Sequence, residues 1–589
     1  MKYALSCLLI SLCLLSCRSN SNQNGVKTVD AEFDTYKEQF VEVLWKLYPG
    51  WASSQGYHKY DSLLVVPDSN ARNKEKVFAK SHMDWLATFD KDKLSDNNKT
   101  DYLMMQDFLQ SIIWSIDTLR SFEWNPSQYN IAEGFAMMLN DNYDSLDNRL
   151  RNFYLRMAYV PAYYEAAKLN IKNPTAEHTQ LAIEQNLGGV SVFETELDDA
   201  LSKSHLSDDE KGKMKERAAA VVTAIKGYTD WLSGLNNREP RSFRLGRSLY
   251  AQKFKYDIQS GYSVDEIYSK ALAHKKELHQ KMYVTASQLW PKYMGGGPRP
   301  ADTLALIRAV IDKVSQRHAN PDSFQQVIEQ QIPSLVSFIQ NKDLIYLDSS
   351  KPLVIRKEPA YMAGVAGASI SSPGPYDKHG NTYYNVGSLS GWSAEKAESY
   401  LREYNYYTLQ ILNIHEALPG HYTQLVYANQ SPSIIKAILG NNTMIEGWAV
   451  YTELMMLENG YGAPEGSDEP EPEMWLMYYK WNLRSTCNMI LDYNVHANNM
   501  SKEEAMHLLV DEAFQQQAEA EGKWRRVSVT SVQLCCYFTG FTEIYELREE
   551  LKTKMGDKFN LKAFHEKFLS YGSAPVKYIR QMMLKDLAG

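Results

Sequence analysis

The chain of 589 residues has only six cysteines, and three of them fall within the first 17 residues. Cys487, Cys535 and Cys536 remain. Three cysteines, two of them adjacent, do not make a disulfide framework, and their number excludes a metal site of four cysteines. Buried thiols are expected. Positive charge is not in surplus: 63 Lys and Arg stand against 71 Asp and Glu, so the net charge is 63 − 71 = −8. A nucleic-acid protein needs a basic footprint, so no nucleic-acid partner is expected. Beyond the N-terminus no apolar run reaches the ~20 residues that cross a bilayer. No solenoid-type repeat is visible. The run Gly295-Gly296-Gly297-Pro298 lacks a following Gly-Lys-Ser/Thr and reads as a plain loop, not a phosphate cradle. The remaining composition, 44% hydrophobic and 23% charged, is that of a globular protein and rules out a disordered or collagen-like chain. The length allows one large domain with a groove.

The N-terminus reads as a targeting segment. Lys2 supplies positive charge, Ala4 to Leu15 an apolar run too short to span, and Leu14-Leu15-Ser16-Cys17 a close resembling a bacterial lipobox. Residues 1–17 are expected to be a lipoprotein signal peptide with Cys17 as the lipidated residue. Stable acylation would anchor the chain to the bacterial cell envelope, on the outer membrane or facing the periplasm. The polar, small stretch from Arg18 onward suits a flexible tether over 18–30. Residues 31–589 are then a single large domain, divided into an N-terminal half (31–350) and a second half (351–589).

Apolar residues at three- and four-residue spacing predict helices over segments such as Asp34–Leu47, Glu210–Leu235 and Val264–Leu289. Leu353 to Val386 differs. It holds the β-branched pair Val354-Ile355, a small-residue stretch, a turn at 377–381 and the strand-like Thr382–Val386. From Ser393 the helical pattern returns. The expected fold class is mainly α, with a small β element in the middle.

The chemistry sits in His415-Glu416-Ala417-Leu418-Pro419-Gly420-His421. Zinc hydrolases place two histidines one helical turn apart, because residues i and i+4 share a face and can meet one metal. Here the separation is six, and a straight helix would not present both rings to one ion. Pro419 has no N–H and its ring clashes with the carbonyl four residues back; Gly420 tolerates unusual backbone angles. A local irregularity at Pro419-Gly420 is therefore predicted, restoring the ligand geometry of H-E-A-L-H. A third ligand is needed. Downstream, Glu446-Gly447-Trp448-Ala449-Val450-Tyr451-Thr452-Glu453 places two carboxylates seven apart on one helix face. Glu446 is the expected ligand, with Glu453 orienting a ligand histidine and Gln424 in the same supporting role. One Zn²⁺ per chain is expected.

At these residues the sequence resembles a bacterial family long catalogued as a domain of unknown function. Its members carry H-E-x-x-P-G-H-x-x-Q and E-G-W-A-x-Y-x-E, here intact as 415–424 and 446–453. They look like distant relatives of zinc peptidases with a His-Glu-His ligand set, such as thermostable carboxypeptidases and angiotensin-converting enzyme. The family's next block matches Arg484, Asp492 and His496. In its last block Arg526, Gln533, Tyr537, Gly540 and Arg548 match, whereas Val527, Ser531-Val532 and Cys536 depart. Gly246 and Tyr250 are weaker matches upstream. The resemblance implies a large helical metallopeptidase-like fold with a deep cleft and zinc.

The resulting expectation is a zinc-dependent peptidase. Glu416 acts as general base, Tyr537 and His496 are candidate oxyanion donors, and Arg526 is a candidate for a substrate carboxylate. The strand around Tyr384 and Asn385 is expected to hold an extended peptide by strand addition. The alternative is a non-catalytic envelope lipoprotein capturing peptides or glycans on aromatic platforms, given 39 Tyr and 12 Trp. A capture protein has no reason to keep His415, Glu416, His421 and Glu446 in register.

Overall fold

The structure is a computed structural model and describes residues 28–351, 353–358, 368–377, 380–431 and 433–588. The signal peptide and Cys17 lie outside these residues. The tether ends earlier than expected, because Val29 and Asp30 already belong to the first helix, Val29–Leu47. Thr28 starts that helix by accepting a hydrogen bond from the Ala31 N–H. Phe33, Tyr36, Phe40, Val41 and Leu44 then turn one apolar stripe inward, the spacing that makes a surface helix amphipathic. The other two expected helices run Asp208–Ser233 and Val264–Met294. Each opens on a reciprocal capping box, Ser207 with Glu210 and Ser263 with Glu266, which satisfies backbone donors that the first turn leaves free.

The molecule is mainly helical, with one three-stranded sheet. Its strands are β1 (Leu353–Lys357), β2 (Ala368–Ser371) and β3 (Thr382–Val386). The order is β1-β3-β2; β3 runs parallel to β1, with Leu353 opposite Thr382, and antiparallel to β2, with Ala368 opposite Val386. This corrects the strand-addition expectation. β3 is the central strand, so both of its edges are already paired and no peptide can add to it. Tyr384 and Asn385 are fully buried. The Tyr384 hydroxyl donates to Asn413 Oδ1 at 2.7 Å, and Asn385 bridges Arg356 Nε (2.7 Å) and Ser371 Oγ (2.7 Å). Their work is to lock the sheet under the Tyr406–Glu416 helix, not to touch a substrate.

Among the described residues there are two apolar cores. The smaller is contributed by residues 129–232. The larger draws on residues 33–112 together with 243–583, and so runs across position 350. At its centre lies the helix Pro472–Ala497, of whose 26 residues 20 are buried. A helix buried on nearly every face is surrounded by other elements. Beside it cross Asn442–Glu458 and Cys535–Met555. They meet at Gly447 and Gly540: a Cβ on Gly447 would lie 2.3 Å from the Gly540 carbonyl carbon, and one on Gly540 would lie 1.9 Å from the Thr443 oxygen. Only glycine allows this approach. It fixes the position of Glu446, one residue from the crossing point.

Candidate metal centre

The Tyr406–Glu416 helix is started by Asn405, whose side chain accepts from the N–H groups of Tyr407 and Thr408. It stops at Glu416, and a second helix, His421–Asn429, begins at the second histidine. The predicted irregularity is a complete break. The Leu418–Pro419 bond is cis. The Leu418 N–H turns back to Asn413 O (3.2 Å) and the Gly420 N–H to Ile414 O (3.0 Å). A Cβ on Gly420 would lie 2.0 Å from the His415 oxygen, so glycine is required there by crowding. Trp448 holds the corner from outside, its indole N–H donating to Pro419 O at 2.9 Å. The E-G-W sequence thus serves the site three ways: Glu446 enters it, Gly447 lets the helices approach, and Trp448 braces the corner between the histidines.

This corner brings His415, His421 and Glu446 together, with one ligand atom from each lying within 4.8 Å of the others. Glu446 Oε2 is 3.3 Å from His421 Nε2 and 3.7 Å from His415 Nε2. Ligands at about 2.1 Å from a tetrahedral zinc lie about 3.4 Å apart, so these separations suit one ion. The rings stand nearly perpendicular, at 85°. His415 Nδ1 is 2.7 Å from Glu453 Oε1, which also accepts from the Trp481 indole N–H at 2.9 Å. A proton held on Nδ1 by Glu453 leaves the Nε2 lone pair facing Glu446 and His421, as metal ligation requires. Trp481 is a supporting residue that no sequence motif singles out. Glu446 Oε2 and Glu453 Oε2 are buried with no hydrogen-bond partner among the described residues. Buried acceptors of this kind are rare unless something else satisfies them. Donor types, spacing and orphaned carboxylate oxygens all fit a divalent zinc-like ion.

Electrostatics agree. Burial alone would lower the His415 pKa, but the carboxylates of Glu446 and Glu453 outweigh it and raise it to about 10. Burial pushes Glu446 up, and the two histidines more than reverse this, holding it well below the usual carboxylate range. Glu416 is raised by burial, against the pull of His421 and His415. Its carboxyl is therefore within reach of both rings without belonging to the trio.

The remaining expected residues divide. Arg526 donates through Nη2 to Gln533 Oε1 (2.6 Å) and to the Tyr537 hydroxyl (3.3 Å). Burial raises the Tyr537 pKa, and the Glu446 charge adds to it, so this pair borders the metal trio. His496 has a different setting. It is buried, its Nε2 lies 2.9 Å from both Val527 O and Thr530 O, and its ring stacks on Tyr250. Its contacts fasten the end of the Gln517–Val529 helix, and the oxyanion role assigned to it is withdrawn. Gln424 donates to Ser573 Oγ at 2.9 Å and supports the fold, not the histidines. Asp492 accepts from Tyr250 and from the N–H groups of Val532 and Leu534, at 2.8, 2.8 and 3.1 Å. Gly246 N–H donates to His496 O. The weak upstream matches Gly246 and Tyr250 are thus bonded directly to the downstream block. Lys523 was missed. It shares a face of its helix with Glu519 and Arg526 at i−4 and i+3, is 5% exposed, and makes no hydrogen bond or ion pair among the described residues. Burial lowers its pKa to about 7, with Arg484 adding to the effect.

A fold of this kind, with a His-His-Glu trio of one buried and two half-buried side chains among the described residues, defines a class of helical proteins with a candidate mononuclear metal site. The chain belongs to the family described as "Bacterial protein of unknown function (DUF885)", whose model matches residues 49–583. Among solved structures, it is similar to a chain from Shewanella oneidensis described as a "putative lipoprotein of unknown function". That chain is 50% identical, with a TM-score of 0.85, over 94% of this chain and 99% of the other. A chain from Colwellia psychrerythraea described as a "putative lipoprotein", 16% identical, shares the fold with a TM-score of 0.77 over 95% and 100% of the two chains. No curated protein matches.

Proposed function

We propose that this protein is a zinc-dependent peptidase or amidase of the bacterial cell envelope, tethered through Cys17. The observation that carries the reading is the trio His415, His421 and Glu446, with the Glu446 oxygen lying between the two ring nitrogens. The lipoprotein descriptions of the similar structures support the envelope location. Among the described residues no helix is long and apolar enough to cross a membrane.

His415, His421 and Glu446 would hold the ion, and Glu453 and Trp481 would keep the His415 ring in place. Bound zinc would polarise a water and a scissile carbonyl. Glu416 takes the proton from the attacking water on its carboxylate and passes it to the nitrogen of the leaving amine. Its raised pKa suits a group that must both accept and release that proton. The Tyr537 hydroxyl, held by Arg526, donates to the oxygen that becomes negative as the carbonyl turns tetrahedral. Arg526 offers positive charge to a substrate carboxylate.

The test is Glu416→Gln, assayed on a mixed peptide pool by release of free amine. The variant should keep one zinc per chain and lose turnover by about 10²–10⁴-fold. Undiminished turnover would remove Glu416 from this role.

A further inference from the structure

A second cavity, remote from the metal trio in sequence, has the makings of a binding site of its own. It has a volume of about 600 Å³ and lies where the N-terminal helices meet the smaller apolar core. Such a volume is typical of small-molecule sites. Its walls are largely apolar, with aliphatic side chains such as Leu63 and Leu64 and the aromatic residues Tyr48, Trp51, Phe122, Tyr129 and Tyr163.

Its wall also includes the guanidinium of Arg156, which is only 5% exposed. A buried guanidinium normally has a carboxylate partner. Arg156 has none within ion-pair distance among the described residues. Its Nε has no hydrogen-bond partner. Its Nη1 reaches only Gly134 O at 3.5 Å and Met138 Sδ at 3.7 Å, both at the limit of a hydrogen bond. Its Nη2 sits against Gly50, another wall residue: a Cβ there would be 3.4 Å away. Asp61 is close enough to be felt, but its oxygens are engaged by Ser53 (2.6 Å) and His58 (3.0 Å). Two other charged groups line the cavity. Arg72 donates to Pro67 O and stacks over Phe122; the Glu75 carboxyl is raised by burial. The walls therefore carry two guanidinium groups and one carboxyl that burial biases toward its neutral form.

We propose that this cavity binds a small organic carboxylate with an aromatic or aliphatic body, its carboxylate on Arg156 and its body among the aromatic side chains. An anion there supplies the partner that the guanidinium lacks, and the apolar walls bury the rest of the ligand. The site is independent of the peptidase reading and stands or falls separately from it.

The full chain, stripped of metal with a chelator, is titrated calorimetrically with phenylacetate and hexanoate and with the neutral amides of both. At least one acid should bind one-to-one with Kd around 1 mM or tighter, and its amide about tenfold or more weakly. Arg156→Met removes the charge, giving up the long Gly134 O contact and the contact with the Phe135 ring, and should weaken the acid to the level of its amide. Leu64→Trp leaves Arg156 in place but fills part of the cavity, and should also weaken the acid tenfold or more. The amide comparison on the unaltered chain needs no variant to fold. No binding of either acid, equal binding of acid and amide, or unchanged acid binding in a folded Arg156→Met or Leu64→Trp protein would overturn the proposal.

Discussion

Around Asp101 three helices bury two lysines with one aspartate. Lys37 Nζ is 2.8 Å from Asp101 Oδ2, 2.7 Å from Asn98 Oδ1 and 2.9 Å from Asp34. Lys436 contacts Asp101 Oδ1 at 2.5 Å and Asn97 Oδ1 at 2.8 Å, and Ser433 donates to Oδ2 at 2.6 Å. Two cations face two carboxylates, and no side-chain atom of these groups is left buried without a partner. Around Glu446 the composition is different. Three carboxylates, Glu416, Glu446 and Glu453, share the site with two imidazoles, and two carboxylate oxygens have no hydrogen-bond partner. Both clusters are anchored on buried side chains, Asp101 and Lys436 in one and His415 and Glu453 in the other. One closes on itself and holds helices together; the other is incomplete in a way that one divalent cation would complete. Saturation, more than burial, separates architecture from a candidate site.

The comparison can be broken at either end. Asp101→Ala leaves the buried Lys436 ammonium without a carboxylate and Lys37 with Asp34 alone, at 2.9 Å. It should cost about 3–5 kcal/mol in urea unfolding and leave metal content unchanged. A small cost would mean that the lysines find other partners and that saturation at Asp101 is not what stabilises the fold. At the other cluster, Glu453→Gln should weaken zinc binding by about 10–100-fold in chelator competition. Gln424→Met, which loses the contacts with Ser573 and Met444, should change it less than about twofold. Equal effects would erase the distinction drawn between these two residues.

The smallest effect is in protons. The His415 pKa of about 10 lies above its unfolded value. Its contribution to the stability of the metal-free protein is therefore complete below the ordinary histidine range, ~6.5, and is lost as pH rises toward 10. Glu446 is depressed, so its contribution holds above the ordinary glutamate range and is lost in acid. Metal ligation needs neutral histidine, so zinc added at neutral pH should displace about one proton per site. Calorimetry in buffers of differing ionisation enthalpy reads this directly. Zinc binding without proton release would contradict His415 as a ligand.

Much of this site could be read from the sequence because its elements are local. Pro419 and Gly420 announce a break between the histidines, and the seven-residue spacing of Glu446 and Glu453 puts both on one face. What escaped depends on long-range placement. Strand order is not written in Thr382–Val386, so nothing local shows that β3 is central and that Tyr384 and Asn385 are enclosed. A histidine bonded to backbone carbonyls, as His496 is, looks in sequence like one facing a substrate. Trp481 and Lys523 stand out only when the helices that carry them are packed. The larger core likewise joins residues 33–112 to 243–583, a union that no composition shift near position 350 foretells.

The central claim is that His415, His421 and Glu446 hold one metal ion. Elemental analysis of the purified protein and of His421→Ala tests it most directly. One zinc per chain, lost in the variant, is the predicted result. No metal in either protein after zinc is added back would contradict the account.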